Sequence, residues 1–226
     1  MPKQYEIEIK CLLGSKENAE TLKEKIRSLD PKIRLVSSGS QLNHYFIGQT
    51  LGPLPRAVGH LLDSPSAHEL TDISNRTKDF SLRTREADGK TLLIVKVSVD
   101  DTTSANGTAR REFETAIPEL TIHQLDKILL NAGYTYQSKW SREREEYECK
   151  GAHITIDKNA GYGYMAEFEK IVDDQTKAQT AKEELRKLIH DLSLEELPQD
   201  RLERMFKHYN SHWPEYYGTD KVFSVA

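Results

Sequence analysis

The feature that most constrains this 226-residue chain is a strict alternation of charged and apolar side chains near its N-terminus. Glu6, Glu8 and Lys10 are separated by the apolar residues Ile7 and Ile9. A period of two places the charged side chains on one face of a β-strand and the apolar ones on the other. A single strand of this kind is ordinary, because a charged strand face usually meets water.

The same alternation returns in later segments of the chain, and in each of them the charged side chains share one face. The cationic set is Lys10, Arg83, Arg85, Lys96, Arg110, Arg142 and Arg144; the carboxylate set is Glu6, Glu8, Glu112, Glu114, Asp157, Glu167 and Glu169. A solvated sheet face would mix Thr, Ser, Gln and Lys with scattered charge. This face is almost entirely ionisable, which favours an enclosed surface over a solvated one.

Enclosure has a physical consequence for these charges. Ionised groups crowded inside a closed sheet are costly unless they pair with each other or with a ligand. Guanidinium and ammonium groups bind phosphate oxygens, and carboxylates together with phosphate oxygens bind hard divalent cations. A polyanion accompanied by a divalent cation would therefore satisfy both sets.

Periodicity and turn residues predict an α+β protein built on one meandering antiparallel sheet, with helices covering its apolar face. The segment Asp88-Gly89 predicts a hairpin turn, and the Gly- and Pro-punctuated residues 48–79 predict a long loop with at most one short helix. We predict strands over residues 5–12, 33–36, 41–47, 80–85, 91–99, 109–117, 136–149, 152–157 and 164–172, and helices over 19–29, 118–131, 176–192 and 200–212.

Composition excludes several classes of protein. Lys and Arg number 32 and Asp and Glu 36, so the formal net charge of −4 argues against a simple basic nucleic-acid binder. No apolar stretch approaches the ~20 residues that span a bilayer, and the first residues lack the apolar core of a signal peptide. Cys11 and Cys149 have no metal-site spacing and fall on the apolar parity, which predicts buried, reduced thiols. We expect a soluble, cytoplasmic protein without nucleic-acid or membrane partners.

Taken in order, these segments resemble a known family. Glu6-x-Glu8-x-Lys10 resembles the ExExK signature of the CYTH superfamily, the triphosphate tunnel metalloenzymes. The match extends over residues 3–190 through Arg83-x-Arg85, Lys96, Arg110-x-Glu112-x-Glu114, Arg142-x-Arg144 and His153-Ile-Thr-Ile-Asp157, ending at Glu167-Phe-Glu169. The chain departs from the family where Ile47-Gly48 follows Tyr45-Phe46, since many members carry an acidic residue there.

The resemblance implies a closed eight-stranded antiparallel β-barrel whose lumen binds a triphosphate chain with Mg²⁺ or Mn²⁺. It implies one domain over residues 1–195 with an insertion at about 48–79, and a C-terminal helix and aromatic tail over 196–226 packed on it. It implies metal ligands at Glu6, Glu8, Glu114, Asp157, Glu167 and Glu169, and phosphate-binding residues at Lys10, Arg83, Arg85, Lys96, Arg110, Arg142 and Arg144. Glu6, Glu8, Lys10, Arg83 and Glu167 are the candidate catalytic residues.

Three functions remain open at this point. Hydrolysis of inorganic triphosphate or of a nucleoside or organic triphosphate ranks first, because it makes the fewest demands on the lumen. A class IV adenylyl cyclase, converting ATP to cyclic AMP and pyrophosphate, ranks second, supported by the stretch from His153 to Glu167. A binding module without turnover ranks third, because phosphate binding alone needs only the cations. For the aromatic tail, packing on the domain's own surface is favoured over a cap on the tunnel or a homodimer contact.

Overall fold

The computed structural model describes residues 5–76, 79–98 and 110–224. Within these ranges the chain forms eight β-strands and six α-helices. The strands are β1 Tyr5–Gly14, β2 Arg34–Ile47, β3 Phe80–Ala87, β4 Lys90–Ser98, β5 Arg110–Ala116, β6 Thr135–Cys149, β7 Ala152–Asn159 and β8 Gly163–Val172. The helices are α1 Lys16–Leu29, α2 Leu54–Val58, α3 Ser64–Arg76, α4 Ile122–Asn131, α5 Ala178–Asp191 and α6 Gln199–Tyr216.

The eight strands form a single curled antiparallel sheet in the order β1-β5-β4-β3-β2-β6-β7-β8. β1 pairs with β8 along its length and also pairs with β5 at one register position, Glu6 opposite Arg110. The two ends of the strand order therefore meet at β1. Because side chains alternate across a strand, one set of alternate positions faces the concave side of this curl.

The predicted hairpin at Asp88-Gly89 is present between β3 and β4. Asp88 and Gly89 have φ values of 50° and 70°, the left-handed backbone that a two-residue turn of this type needs. The turn fixes the register in which Arg83 lies opposite Ile94 and Arg85 opposite Leu92.

Strand β2 corrects the sequence prediction of two strands over residues 33–36 and 41–47. The small polar residues 37–40 indicated a break, but the strand continues through them from Arg34 to Ile47. Its partner β6 is 15 residues long and pairs with β2 from Glu148 to Thr135, with an irregularity between Leu35 and Ser37. Pairing with this long neighbouring strand thus keeps residues 37–40 in a β-strand although their intrinsic β-propensity is weak.

Residues 48–79 also differ from the predicted loop. They contain two helices, α2 and α3, and a short 3₁₀ turn, Gly59–Leu61. Pro53 and Pro55 lie at the start of α2, and Pro65 lies at the start of α3, positions where a helix tolerates proline because its first N–H groups are unpaired. The same prolines that suggested a loop therefore begin helices. The predicted helix over 118–131 likewise begins later, at Ile122, where Thr121 and Gln124 form a capping box.

The helices bury the apolar side chains of the sheet in three clusters, two of them on its convex face and the third at one end of the curl. One cluster joins α1 and α5 to β1, β7 and β8, and contains the buried Cys11 and Cys149. Burial and the charge of Glu196 raise the pKa of the Cys11 thiol to about 12, so it is unreactive at neutral pH. A second cluster joins α2, α3 and α4 to β3, β4 and β5. The third packs α6 against Trp140, Tyr162 and Met165.

The aromatic tail packs on this same third cluster. Phe223 donates its backbone N–H to the Gly161 carbonyl oxygen at 2.8 Å, and its ring lies 5.1 Å from that of Tyr162. These contacts join the end of the described chain to the β7–β8 turn. No helix in the described part of the chain is both long enough and apolar enough to cross a bilayer.

Gly163 provides a test of how tightly the β7–β8 turn lies against β1. Its φ is +71°, and a Cβ atom there would lie 2.5 Å from the carbonyl oxygen of Gly14. Gly89 has a similar φ of +70° with nothing within 4 Å. We expect Gly89→Ala to lower the free energy of unfolding by about 1 kcal/mol and Gly163→Ala by about 3 kcal/mol or more, measured by denaturant unfolding. Equal losses would contradict this close backbone approach.

Candidate active site

The concave face of the sheet encloses a cavity of about 890 Å³. Twelve of the fourteen charged residues singled out from the sequence line it. They are Glu6, Glu8, Lys10, Arg83, Arg85, Lys96, Glu112, Glu114, Arg142, Arg144, Glu167 and Glu169. Asp157 is buried beside Arg142 and Arg144 and does not line the cavity, and the side chain of Arg110 is outside the described part of the chain. The two charge sets therefore line one cavity.

Lysines and carboxylates on the cavity wall neutralise each other where they meet. Lys96 lies 2.8 Å from Glu6 and 3.1 Å from Glu112. Lys10 contacts Glu8 and lies 2.9 Å from Glu167. These side chains are mostly buried, so each charge has lost hydration that its partner must replace.

Glu6, Glu8 and Glu169 form a carboxylate trio at the β1–β8 seam. Glu8 lies opposite Glu169 in the strand register, and one oxygen of each of the three falls within 4.8 Å of the others. Such a set of hard oxygen donors fits a divalent cation such as Mg²⁺ or Mn²⁺. Among the described residues, this trio is the set of three or more possible ligands that lie close enough together to hold one metal ion.

The electrostatics of the trio point the same way. Burial, the charge of Glu6 and a hydrogen bond with Glu6 raise the pKa of Glu169 to about 8. Burial also acts to raise the pKa of Glu6, but Lys96 and hydrogen bonds outweigh it and lower that pKa to about 2. Three carboxylates this close cannot all ionise freely without a cation between them, and a proton on Glu169 relieves the repulsion.

The other predicted metal ligands lie against cations. Glu167 accepts from Arg144 at 2.7 Å, and Glu114 lies 3.5 Å from Arg85. Asp157, with a side chain only 1% exposed, lies 2.9 Å from Arg142 and 2.6 Å from Arg144. In this arrangement Asp157 orients two arginines toward the cavity, and its assignment to the metal remains a prediction.

The strands β3 and β6 present the arginines of the cavity. Burial and the neighbouring guanidinium groups lower the pKa of Arg85 and of Arg142, which reports crowded positive charge. Arg83 and Arg144 are buried too, but the charges beside them, Tyr45 and Glu112 for Arg83 and Asp157 and Glu167 for Arg144, raise their pKa values. An anion placed among these arginines would relieve the crowding and replace lost hydration.

One end of the cavity is aromatic and apolar, and sequence reasoning missed it. Trp140 and Met165 contribute from the sheet, Tyr162 from the β7–β8 turn, and Leu202 and Phe206 from α6. The amphipathic spacing of α6 was visible in the sequence, but nothing in it told which surface the helix would cover. Tyr45 was also missed as a cavity residue, although alternation along β2 places it on the same face as Asn43.

Fold and cavity together define a class of protein whose curled antiparallel sheet lines a cavity with arginines, lysines and carboxylates. Residues 4–201 match the model of the CYTH domain. The chain belongs to the CYTH family, whose members are divalent-metal-dependent enzymes that process triphosphates.

Solved structures share the fold. The PH1819 protein of Pyrococcus horikoshii OT3 superposes with a TM-score of 0.61 and 22% identity, covering 88% of this chain and 99% of that one. A candidate adenylate cyclase of Vibrio parahaemolyticus superposes with a TM-score of 0.59 and 20% identity, covering 89% of this chain and 99% of that one. A conserved hypothetical protein of Pyrococcus furiosus superposes with a TM-score of 0.60 and 18% identity, covering 84% of this chain and 91% of that one. A comparison with curated proteins found no match.

A measurement of metal binding distinguishes the role of the carboxylate trio from that of Asp157. We expect Glu8→Gln to weaken binding of Mn²⁺ alone by at least about tenfold, because it removes one charged ligand. Asp157→Asn should leave Mn²⁺ binding unchanged but lower the free energy of unfolding by about 3 kcal/mol or more, since two buried arginines lose the carboxylate that they share. Titration calorimetry and denaturant unfolding measure the two effects. Loss of Mn²⁺ binding in Asp157→Asn would instead support the predicted assignment of Asp157 to the metal.

Proposed function

We propose that this protein is a divalent-metal-dependent triphosphatase that hydrolyses inorganic triphosphate or an organic triphosphate inside a closed eight-stranded barrel. The observation that carries the proposal is the convergence of a carboxylate trio and a group of buried arginines on one cavity. Each set alone has simpler uses. Together they match a substrate chain that is strongly anionic and travels with Mg²⁺ or Mn²⁺.

Substrate binding falls to the cationic set. Arg83, Arg85 and Arg142 line the cavity from β3 and β6, strands that lie away from the β1–β8 seam in the strand order. Guanidinium groups donate two parallel hydrogen bonds to phosphate oxygens, so three of them can hold a phosphate chain in one orientation. Asp157 fixes Arg142 and Arg144, so their orientation is set before substrate arrives.

The carboxylate trio Glu6, Glu8 and Glu169 would hold the cation, with Glu167 beside it on β8. When bound there, Mg²⁺ or Mn²⁺ neutralises phosphate charge and lowers the pKa of a coordinated water. Lys10, held between Glu8 and Glu167, would bind a phosphate oxygen. Positioning and charge neutralisation are the main contributions that a protein makes to phosphoryl transfer.

Closure of the barrel belongs to this proposal. It is supported by the pairing of β1 on both of its edges, with β8 along its length and with β5 at Glu6. A continuous wall would exclude bulk water and strengthen each charge interaction inside. It would also leave entry only at the two ends of the cavity.

The second candidate is a class IV adenylyl cyclase. The aromatic end of the cavity favours it, because Trp140, Tyr162 and Phe206 offer ring faces on which a nucleobase could pack. The structural neighbour from Vibrio parahaemolyticus is described as a candidate adenylate cyclase. A binding module without turnover is the third candidate, and the carboxylate trio counts against it.

Product analysis tests the reaction directly. We expect incubation with inorganic triphosphate or ATP, plus Mg²⁺ or Mn²⁺, to release orthophosphate. Phosphorus NMR and chromatography identify the products. Cyclic AMP with pyrophosphate would replace the hydrolase with the cyclase, and unchanged substrates in every combination would leave only the binding module.

Glu8→Gln should reduce turnover by at least about a thousandfold while the protein stays folded, because it removes a metal ligand and relieves repulsion within the trio. Glu143→Gln is the matched control, since Glu143 lies on the face of β6 that points away from the cavity, with a side chain 68% exposed. Turnover and circular dichroism are measured for both variants. Full activity in Glu8→Gln would exclude this metal assignment.

Arg83→Ala should weaken binding of inorganic triphosphate by about a hundredfold and binding of orthophosphate much less, because a longer anion uses more of the arginines. Arg34→Ala, at an exposed position on β2, is the control and should bind like the wild type. Competition calorimetry measures both ligands. Equal losses for the two anions would place Arg83 outside the phosphate path.

A further inference from the structure

In the part of the chain that the structure describes, Tyr45 is the tyrosine hydrogen-bonded to an arginine of the cavity wall. It lies on β2 directly opposite Arg83 on β3, and its hydroxyl oxygen accepts a hydrogen bond from Nη1 of Arg83 at 2.9 Å. The Arg83 guanidinium carbon also lies 5.5 Å from the centre of the Tyr45 ring. The described residues give this hydroxyl a donor, Arg83, and no acceptor for its own hydrogen.

Charge around the Tyr45 hydroxyl is almost entirely positive. Arg83 and Arg85 from β3 and Arg142 from β6 act on it electrostatically, and its charge in turn acts on Tyr162 of the β7–β8 turn and Tyr209 of α6. Glu112 of β5 contacts Arg83. Burial acts to raise the pKa of Tyr45, but the charges of Arg83, Arg142 and Arg85 and the hydrogen bond outweigh it and lower that pKa to about 8. Burial instead raises the pKa of Tyr134, Tyr136, Tyr147, Tyr162, Tyr209 and Tyr217.

We propose that Tyr45 binds the substrate as a neutral phenol, donating its free hydrogen to a phosphate oxygen, and that its phenolate competes with the phosphate chain for the arginines. This rests on the triphosphate-binding part of the proposed function. The phenolate is a small anion already located where a phosphate oxygen would bind. The neutral phenol adds a hydrogen bond, whereas the phenolate adds repulsion.

The direction of the pH effect follows from linkage. A bound polyanion disfavours the phenolate, so binding must shift Tyr45 toward its neutral form. By the same linkage, affinity for the polyanion is full below about pH 8 and falls as pH rises above it. With the bound form neutral, the affinity at pH 9 is about tenfold lower than at pH 7 from this group alone.

The test uses the ultraviolet absorbance of tyrosinate, which reads ionisation without requiring turnover. The folded wild-type protein is titrated from about pH 6 to about pH 10, with a chelator present, with and without inorganic tripolyphosphate. We expect one of the ten tyrosines to ionise near pH 8 and tripolyphosphate to suppress that step. Tyr45→Phe should lose the step. Tyr164→Phe, which alters an outward-facing tyrosine of β8, should keep it.

Calorimetry supplies the second readout. Between pH 7 and pH 9 the wild type should lose about tenfold more affinity for tripolyphosphate than Tyr45→Phe does. A step that persists in Tyr45→Phe, or that tripolyphosphate leaves in place, overturns the role of Tyr45. If Tyr45→Phe does not fold, the wild-type titrations alone test the role of Tyr45. A tyrosinate step near pH 8 that bound tripolyphosphate does not change is enough to reject that role.

The outcomes separate this inference from the proposed function. Hydrolysis of triphosphate without suppression of the tyrosinate step would reject the role of Tyr45 and leave the triphosphatase standing. Suppression by tripolyphosphate in a protein that hydrolyses nothing would reject the triphosphatase and leave Tyr45 as a phosphate-binding residue. Failure of tripolyphosphate to bind at any pH would reject both.

Discussion

Opposite charges facing one another across an enclosed cavity are the constraint on which the rest of this structure depends. Ion pairs such as Arg144 with Asp157 are poor sources of stability, because each partner gives up hydration to form them. Their value lies in orientation, since a buried pair holds a long side chain in one place. The free energy that offsets their cost comes from the apolar clusters between helices and sheet, of which Phe168 and Tyr209 are fully buried members.

Outside the cavity, a buried polar network supports strand β2 at the level of Tyr45. His44, the neighbour of Tyr45 on the opposite face, contacts Asp126 at 2.7 Å through Nδ1 and the Tyr217 hydroxyl at 2.8 Å through Nε2. Asp126 also accepts from Thr84 and Tyr136 at 2.6 Å each. The network joins α4 and the end of α6 to β2. It therefore fixes both the strand that carries Tyr45 and the helix that forms the aromatic end of the cavity.

Alternation predicted much of the fold and of the cavity lining, because a period of two decides which face a side chain takes. It could not give distances. Asp157 has the parity of the lumen, yet it lies beneath two arginines, while Glu169 lies in the carboxylate trio through its pairing opposite Glu8. Local sequence patterns also gave wrong predictions where contacts with distant parts of the chain determine the secondary structure. Pairing with β6 keeps residues 37–40 of β2 in a strand. Burial of Leu54 and Leu70 in the core stabilises helices in a Pro-rich segment.

The claim that these charges exist to hold an anion and a cation together is tested most directly by thermal unfolding with each ligand alone and with both. Tripolyphosphate and Mg²⁺ present together should raise the unfolding temperature by more than the sum of their separate effects, because each neutralises charge that opposes the other. Unfolding temperatures that are unchanged in every combination, or that rise only additively, would contradict the account.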